Sequence, residues 1–169
     1  DLTTPWTLPA NSALAVGENI SYSKIETFNQ YTGQKIKVIL ASELVKNYFK
    51  PENENGDFAG WTKENKAIPW KRISEHKGRE LAGTKYEQLL PYIQPKEEAF
   101  KVIIGDFVST EDGTGIVHIS PTFGADDLRV AQKNNIPSIT VTDPKNPNKQ
   151  VPIVDRSGKF VNEIGRAHV

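Results

Sequence analysis

The chain has 169 residues, long enough for one domain with a real core. Its 21 Lys plus Arg balance 21 Asp plus Glu, so no global field favours a polyanion partner, though a local basic patch still could. There is no cysteine, which removes disulfides and thiolate metal sites, and no apolar run approaches the ~20 residues that span a bilayer, so a cytoplasmic protein without a membrane partner is expected.

The chain also contains no methionine, and Asp1-Leu2 leads straight into a threonine-rich run. Both features suggest a piece cut from a longer protein, folding as one domain over residues 1–169. The closing Gly165-Arg166-Ala167-His168-Val169 is given no functional weight. His76, His118 and His168 are too far apart to supply a metal-ligand spacing, so no metal site is expected.

Residues 3 to 11, TTPWTLPAN, carry two prolines four apart, which forbid a helix interior and favour an extended or turning backbone. Their hydroxyls and the Asn11 amide offer donors and acceptors along a constrained strip. By composition alone the run is first an ordinary Thr/Pro-rich loop and second a binding wall. Ala13–Val16 reads as a buried strand ending at Gly17-Glu18-Asn19. Ile20–Glu26 alternates apolar and polar like a half-buried strand, and Lys35–Leu40 follows after a turn at Gly33. These three strands are expected to form a meander. Ser42 is placed to cap a short helix over Glu43–Phe49 that stops before Pro51.

From Pro51 to about Lys77 the chain is polar and reads as a surface insertion with little core of its own. Trp61, Trp70 and the lysines between them could stack on bases and pair with phosphates; two aromatics packed beneath a solvated flap is the plainer alternative. A turn-rich connection follows through GRELAG and YEQLLPY. Phe100–Val108 is the strongest strand in the sequence, and a turn at Glu111-Asp112-Gly113 leads into Ile116–Ile119 as its expected hairpin partner. Asp126–Asn134 is helical, with late strands at Ser138–Thr142 and Val151–Val154. Short strands and few helices predict a β-rich α+β domain, barrel-like with peripheral helices.

Two residues in the second half carry candidate chemistry. On the helix beginning near residue 125, Asp127 has Val130 and Ala131 one turn on, so it faces the apolar side, while Asp126 faces solvent. A first-turn carboxylate is stabilised by the helix dipole and could hold an ammonium group while partly buried, or act simply as a helix-start acid. His118 lies mid-strand, opposite in facing to Val117 and Ile119. It could be a base, a steric gatepost or a satisfied core residue. Gly113-Thr114-Gly115 lacks the lysine of a P-loop and the spacing of a dinucleotide fingerprint, so nucleotide binding is rejected.

Taken together, TTPWTLPAN and GTGIVHISPTFGADD resemble the inserted editing domain of isoleucyl-tRNA synthetases. GRELAGTKYEQLLPY is similar to the family's LxGxxY…PY connection, and the resemblance covers nearly the whole chain. Valyl and leucyl relatives carry TTRP-type runs and GTGAV instead, so the isoleucyl member is favoured. The resemblance implies a barrel-like fold of the valyl/leucyl/isoleucyl editing type, with Asp127 binding the α-amino group of a misattached amino acid. It implies that His118 excludes the larger, correct side chain. Thr3, Thr4 and Thr7, with Trp6 and Asn11, would line the pocket and order the terminal adenosine and the attacking water. The family usually reads WTTTPWT; Asp1 and Leu2 stand here where tryptophan and threonine would, one pocket hydroxyl fewer.

The implied function is hydrolysis of valine mischarged on tRNA(Ile), with isoleucine rejected by size. Isoleucyl enzymes are themselves the standard illustration of the underlying limit: one methylene gives about 1–3 kcal/mol of discrimination, so a second, hydrolytic site must supply the rest. Valyl-adenylate is a further candidate substrate. No cofactor is expected in this domain; ATP and magnesium, with zinc as a further candidate, belong to the rest of the synthetase, the partner in cis. Two alternatives remain open: a module that binds the tRNA acceptor end but is inactive without its parent, and a valyl-type domain clearing threonine.

Overall fold

The computed structural model describes residues 5–95, 97–155 and 157–161, with only the backbone of Pro5 and Trp6. The described residues pack as two compact units, each assembled from separated segments: those within 1–16, 82–105 and 117–169 form one, and those within 17–81 and 106–116 the other.

The first unit is built on a three-stranded sheet of β1 (Ala13–Val16), β5 (Lys101–Ile104) and β6 (Ile116–Ile119), in the order β5-β1-β6. β1 runs parallel to β5, from Ala13 opposite Lys101 to Val16 opposite Ile104. Ala13, Ala15 and Val16 are buried, as expected for a short apolar strand bonded on both edges. A hairpin of β7 (Thr140–Asp143) and β8 (Asn146–Pro152) adds a second small core of Ile139, Val141 and Ile153, with Phe100 and Val161 packed on it. A 3₁₀ helix at Pro5–Ala10 and helix α3 (Ala125–Lys133) complete the unit.

The second unit is an antiparallel sheet in the order β3-β2-β4, from β2 (Ser21–Phe28), β3 (Lys35–Ala41) and β4 (Lys71–Lys77). One face of β2 (Ser23, Ile25, Thr27) is buried, and the alternate residues Lys24, Glu26 and Phe28 are half-exposed. The buried face meets Leu40, Val45 and Trp70. Two short helices, α1 (Val45–Tyr48) and α2 (Gly78–Leu81), flank the sheet.

Four expectations are corrected. The first three strands do not form a meander, because β1 joins the other sheet. The Gly17–Asn19 turn redirects the chain after β1, and the Tyr22 hydroxyl fastens it there by accepting from the Gly17 N–H at 2.9 Å. Nor do β5 and β6 form a hairpin, since β1 lies between them. Their connection instead bonds within the second unit, where Thr114 O accepts from Ala41 N and Gly113 O from the Tyr48 hydroxyl. Ser42 caps no helix: its hydroxyl pairs with that of Ser23 at 2.8 Å. The polar stretch 51–77 is partly sheet, as residues 71–77 are β4, and Trp70 is a core residue at 3% exposure. Trp61 stacks on Phe28 with ring centroids 4.5 Å apart, so neither indole is laid out for bases. Among the described residues the strands pair as these separate sheets and no closed barrel is traced.

Candidate functional site

The Gly113-Thr114-Gly115 run serves the fold of the second unit. Gly115 has φ +74° and a Cβ there would lie 2.6 Å from the Ala41 Cβ, so only glycine lets the loop close on β3. Its carbonyl accepts a 2.6 Å bond from Tyr22.

Beyond it, β6 and the start of α3 carry the candidate residues, and all the contacts below lie within the first unit. His118 is half-buried on β6. Its Nε2 pairs with the Thr7 hydroxyl at 2.8 Å, joining the 3₁₀ helix to the strand across 111 residues of sequence. Ser120 ties the same two elements again, its hydroxyl donating to the Thr7 carbonyl at 3.0 Å. The Ser120 N–H donates to Asp127 Oδ2 at 2.9 Å, which turns the carboxylate back over the start of α3. Gly124 permits that fold-back, since a Cβ there would stand 3.1 Å from the Asp127 carboxyl carbon. Asp127 is half-buried and Asp126 exposed, the division expected from their helical neighbours.

Burial pushes the His118 imidazole below its ordinary pKa, and the Asp127 charge opposes the shift. The ring is therefore neutral at neutral pH, while the carboxylate beside it supplies a negative charge. His118 Nδ1, the Ser12 hydroxyl and the Thr122 hydroxyl are buried without a hydrogen-bond partner among the described residues. All three lie in or beside the two motif runs.

Asn11 is buried with both ends of its amide engaged: Nδ2 donates to Ala13 O at 2.8 Å, and Oδ1 accepts from the Tyr86 hydroxyl at 2.6 Å. Its visible work is to pin the motif to β1 and to the 82–105 segment. Burial raises the Tyr86 phenol pKa, so it stays a donor to Asn11. Thr3 and Thr4 lie outside the described residues, as does the Trp6 side chain. Ser120 and Tyr86 were missed by sequence reasoning. Ser120 acts partly through its backbone, which leaves no compositional signal, and Tyr86 sat in a segment read only as a connection. Among the described residues no group of three or more His, Asp or Glu is placed to hold a metal ion.

The chain is 53% identical over 162 residues to an isoleucine–tRNA ligase of Cytophaga hutchinsonii, covering 96% of this chain and 14% of that protein. It is 50% identical over 159 residues to the isoleucine–tRNA ligase of Porphyromonas gingivalis, covering 94% and 14%. The chain is a homologue of isoleucine–tRNA ligases. It spans about 14% of the length of these curated relatives. No family model matches it. The crystal structure of GlLeuRS-CP1 shares its fold with a TM-score of 0.51 at 17% identity, over 79% of this chain and 47% of that one. The strand-rich fold with few helices is thus shared with that structure.

Proposed function

We propose that this homologue of isoleucine–tRNA ligases is a hydrolytic editing domain that removes valine from mischarged tRNA(Ile) and spares isoleucine. The observation that supports it most is the convergence of Thr7, His118, Ser120 and Asp127 in one hydrogen-bonded cluster. Asp127, oriented by the Ser120 N–H, supplies a fixed negative charge for the α-ammonium of an aminoacyl ester. Neutral His118, held by Thr7, supplies bulk without a competing positive charge, which suits a wall against the larger side chain.

A water molecule attacks the ester carbonyl, the bond from that carbon to the ribose oxygen breaks, and the ribose oxygen leaves with a proton as a hydroxyl. Thr3 and Thr4 are assigned to positioning the water, with the substrate's neighbouring ribose hydroxyl. Asp127 anchors rather than abstracts, because an ion-paired carboxylate is a poor base. Rate comes from orientation.

The test is side-by-side deacylation of Val-tRNA(Ile) and Ile-tRNA(Ile) by this chain. Loss of valine with isoleucine retained supports the reading. Clearance of Thr-tRNA(Val) in preference to Val-tRNA(Ile) would assign a valyl-type domain, and tight tRNA binding with no hydrolysis a binding module.

A further inference from the structure

The half-exposed face of the β3-β2-β4 sheet concentrates positive charge. Residues opposite one another in an antiparallel pair share a face. The register therefore sets Lys37, Glu26 and Lys71 in one row across the three strands. Lys24 lies opposite Ile39 in the next row, and Lys35 opposite Phe28 in the row beyond Glu26. Four lysines thus share a patch roughly 10 Å by 14 Å, from strand spacing and rise, with Glu26 as the carboxylate at its centre.

Lys71 closes on that carboxylate at 2.9 Å. The bond to Lys71, with the charges of Lys71, Lys35 and Lys37, holds Glu26 below the usual carboxylate range. At the Phe28 end the lysines meet aromatic rings: the Lys35 ammonium lies 5.8 Å and the Lys71 ammonium 4.9 Å from the Phe58 centroid. A chain with 21 charges of each sign has no need to gather four lysines around one acid. Lysines on the edge strand β3 could merely block strand addition, but Lys24 sits on the central strand, where there is no edge to guard.

We propose that this face, presenting Lys24, Lys35, Lys37 and Lys71, binds the ribose–phosphate backbone of RNA. The proposal deepens the editing reading, since the RNA it would engage is the tRNA carrying the ester. Charge complementarity selects the occupant: closely spaced ammonium groups match a run of phosphates, and each contact releases counterions.

The probe is uncharged tRNA(Ile), which carries no ester, so binding is read separately from hydrolysis. Fluorescence anisotropy across a salt series should give a slope of log K against log salt of about −3 for the parent chain, at about 0.7–0.9 per lysine contact. K35Q/K37Q should flatten the slope by about 1.5 and weaken binding by about tenfold or more near 0.1 M salt. K145Q/K149Q, on exposed hairpin lysines of the other unit, should match the parent. Thermal melts confirm folding, and K37Q alone, with half the effect, serves if the double variant melts early. Equal slopes in all three proteins would overturn the proposal even if Val-tRNA(Ile) is cleaved. Lysine-dependent binding with no cleavage would support this face and sink the editing reading instead.

Discussion

Burial drives the imidazole of His118 toward its neutral form, and the charge of Asp127 pulls it part-way back. Its ring should titrate below 6.5 by NMR, and Asp127→Asn should lower it further by removing the opposing charge. A value at or above 6.5 would contradict the burial seen here. The linkage has a definite sign. Between the depressed folded value and 6.5 the unfolded chain binds more protons, so stability rises with pH through that window and is lost on acidification. For the proposed reaction, Asp127→Ala should reduce Val-tRNA(Ile) deacylation by at least about a hundredfold, as a lost charged anchor of ~3 kcal/mol implies. Near-parental turnover would remove Asp127 from the site. His118→Ala should let Ile-tRNA(Ile) be cleaved, read as the ratio of the two deacylation rates; an unchanged ratio would end the gatepost role. At this scale the facing of Asp127 was legible because helical spacing alone decides it. The bond that aims it was not, because it comes from the Ser120 backbone N–H, and Ser120 is itself held by the carbonyl of Thr7, far away in sequence.

Elements are joined by side chains that do the work of backbone. The Tyr22 hydroxyl accepts from Gly17 N and donates to Gly115 O, so one buried ring fastens two turns to β2. Burial raises its pKa above the ordinary phenol value, keeping the proton it donates. Tyr22→Phe would leave a buried N–H and a carbonyl unpaired and should cost about 2–4 kcal/mol, seen as a fall in melting temperature of roughly 5–15 °C. A loss within a degree or two would mean that water replaces the hydroxyl. Lys35–Leu40 was legible from alternation, since Ile36, Val38 and Leu40 line one face; Ile20–Glu26 alternates only in part, and the face it buries carries Ser23 and Thr27 beside Ile25. The partners of the strands were not legible. Short apolar runs such as Ala13–Val16 carry no record of which strand lies beside them, and local pairing is only the commoner outcome. The Trp70 position was hidden for a similar reason: its polar neighbours masked a core residue.

On the scale of the whole molecule, each compact unit is stitched from distant segments, and the candidate cluster unites residues 7, 118, 120 and 127 of the chain. Folding should be slow for a domain of this size, since such contacts close long loops before they stabilise anything. Hydrogen-exchange labelling during refolding should show the amides of β2 and β3, paired across a short connection, protected before those of β1. Simultaneous protection of all three would imply that the two units form in one step.

The central place of β1 has a consequence for synthesis on the ribosome. Ala13–Val16 emerges before both strands that cover its edges: β5 begins roughly 85 residues later and β6 about 100. At about 5–20 residues per second, that apolar strand waits several seconds with its backbone groups unpaired. A nascent chain in that state invites pairing with a neighbour. The two prolines just upstream, Pro5 and Pro9, shorten the segment that could extend into such a pairing, because neither can donate to a ladder.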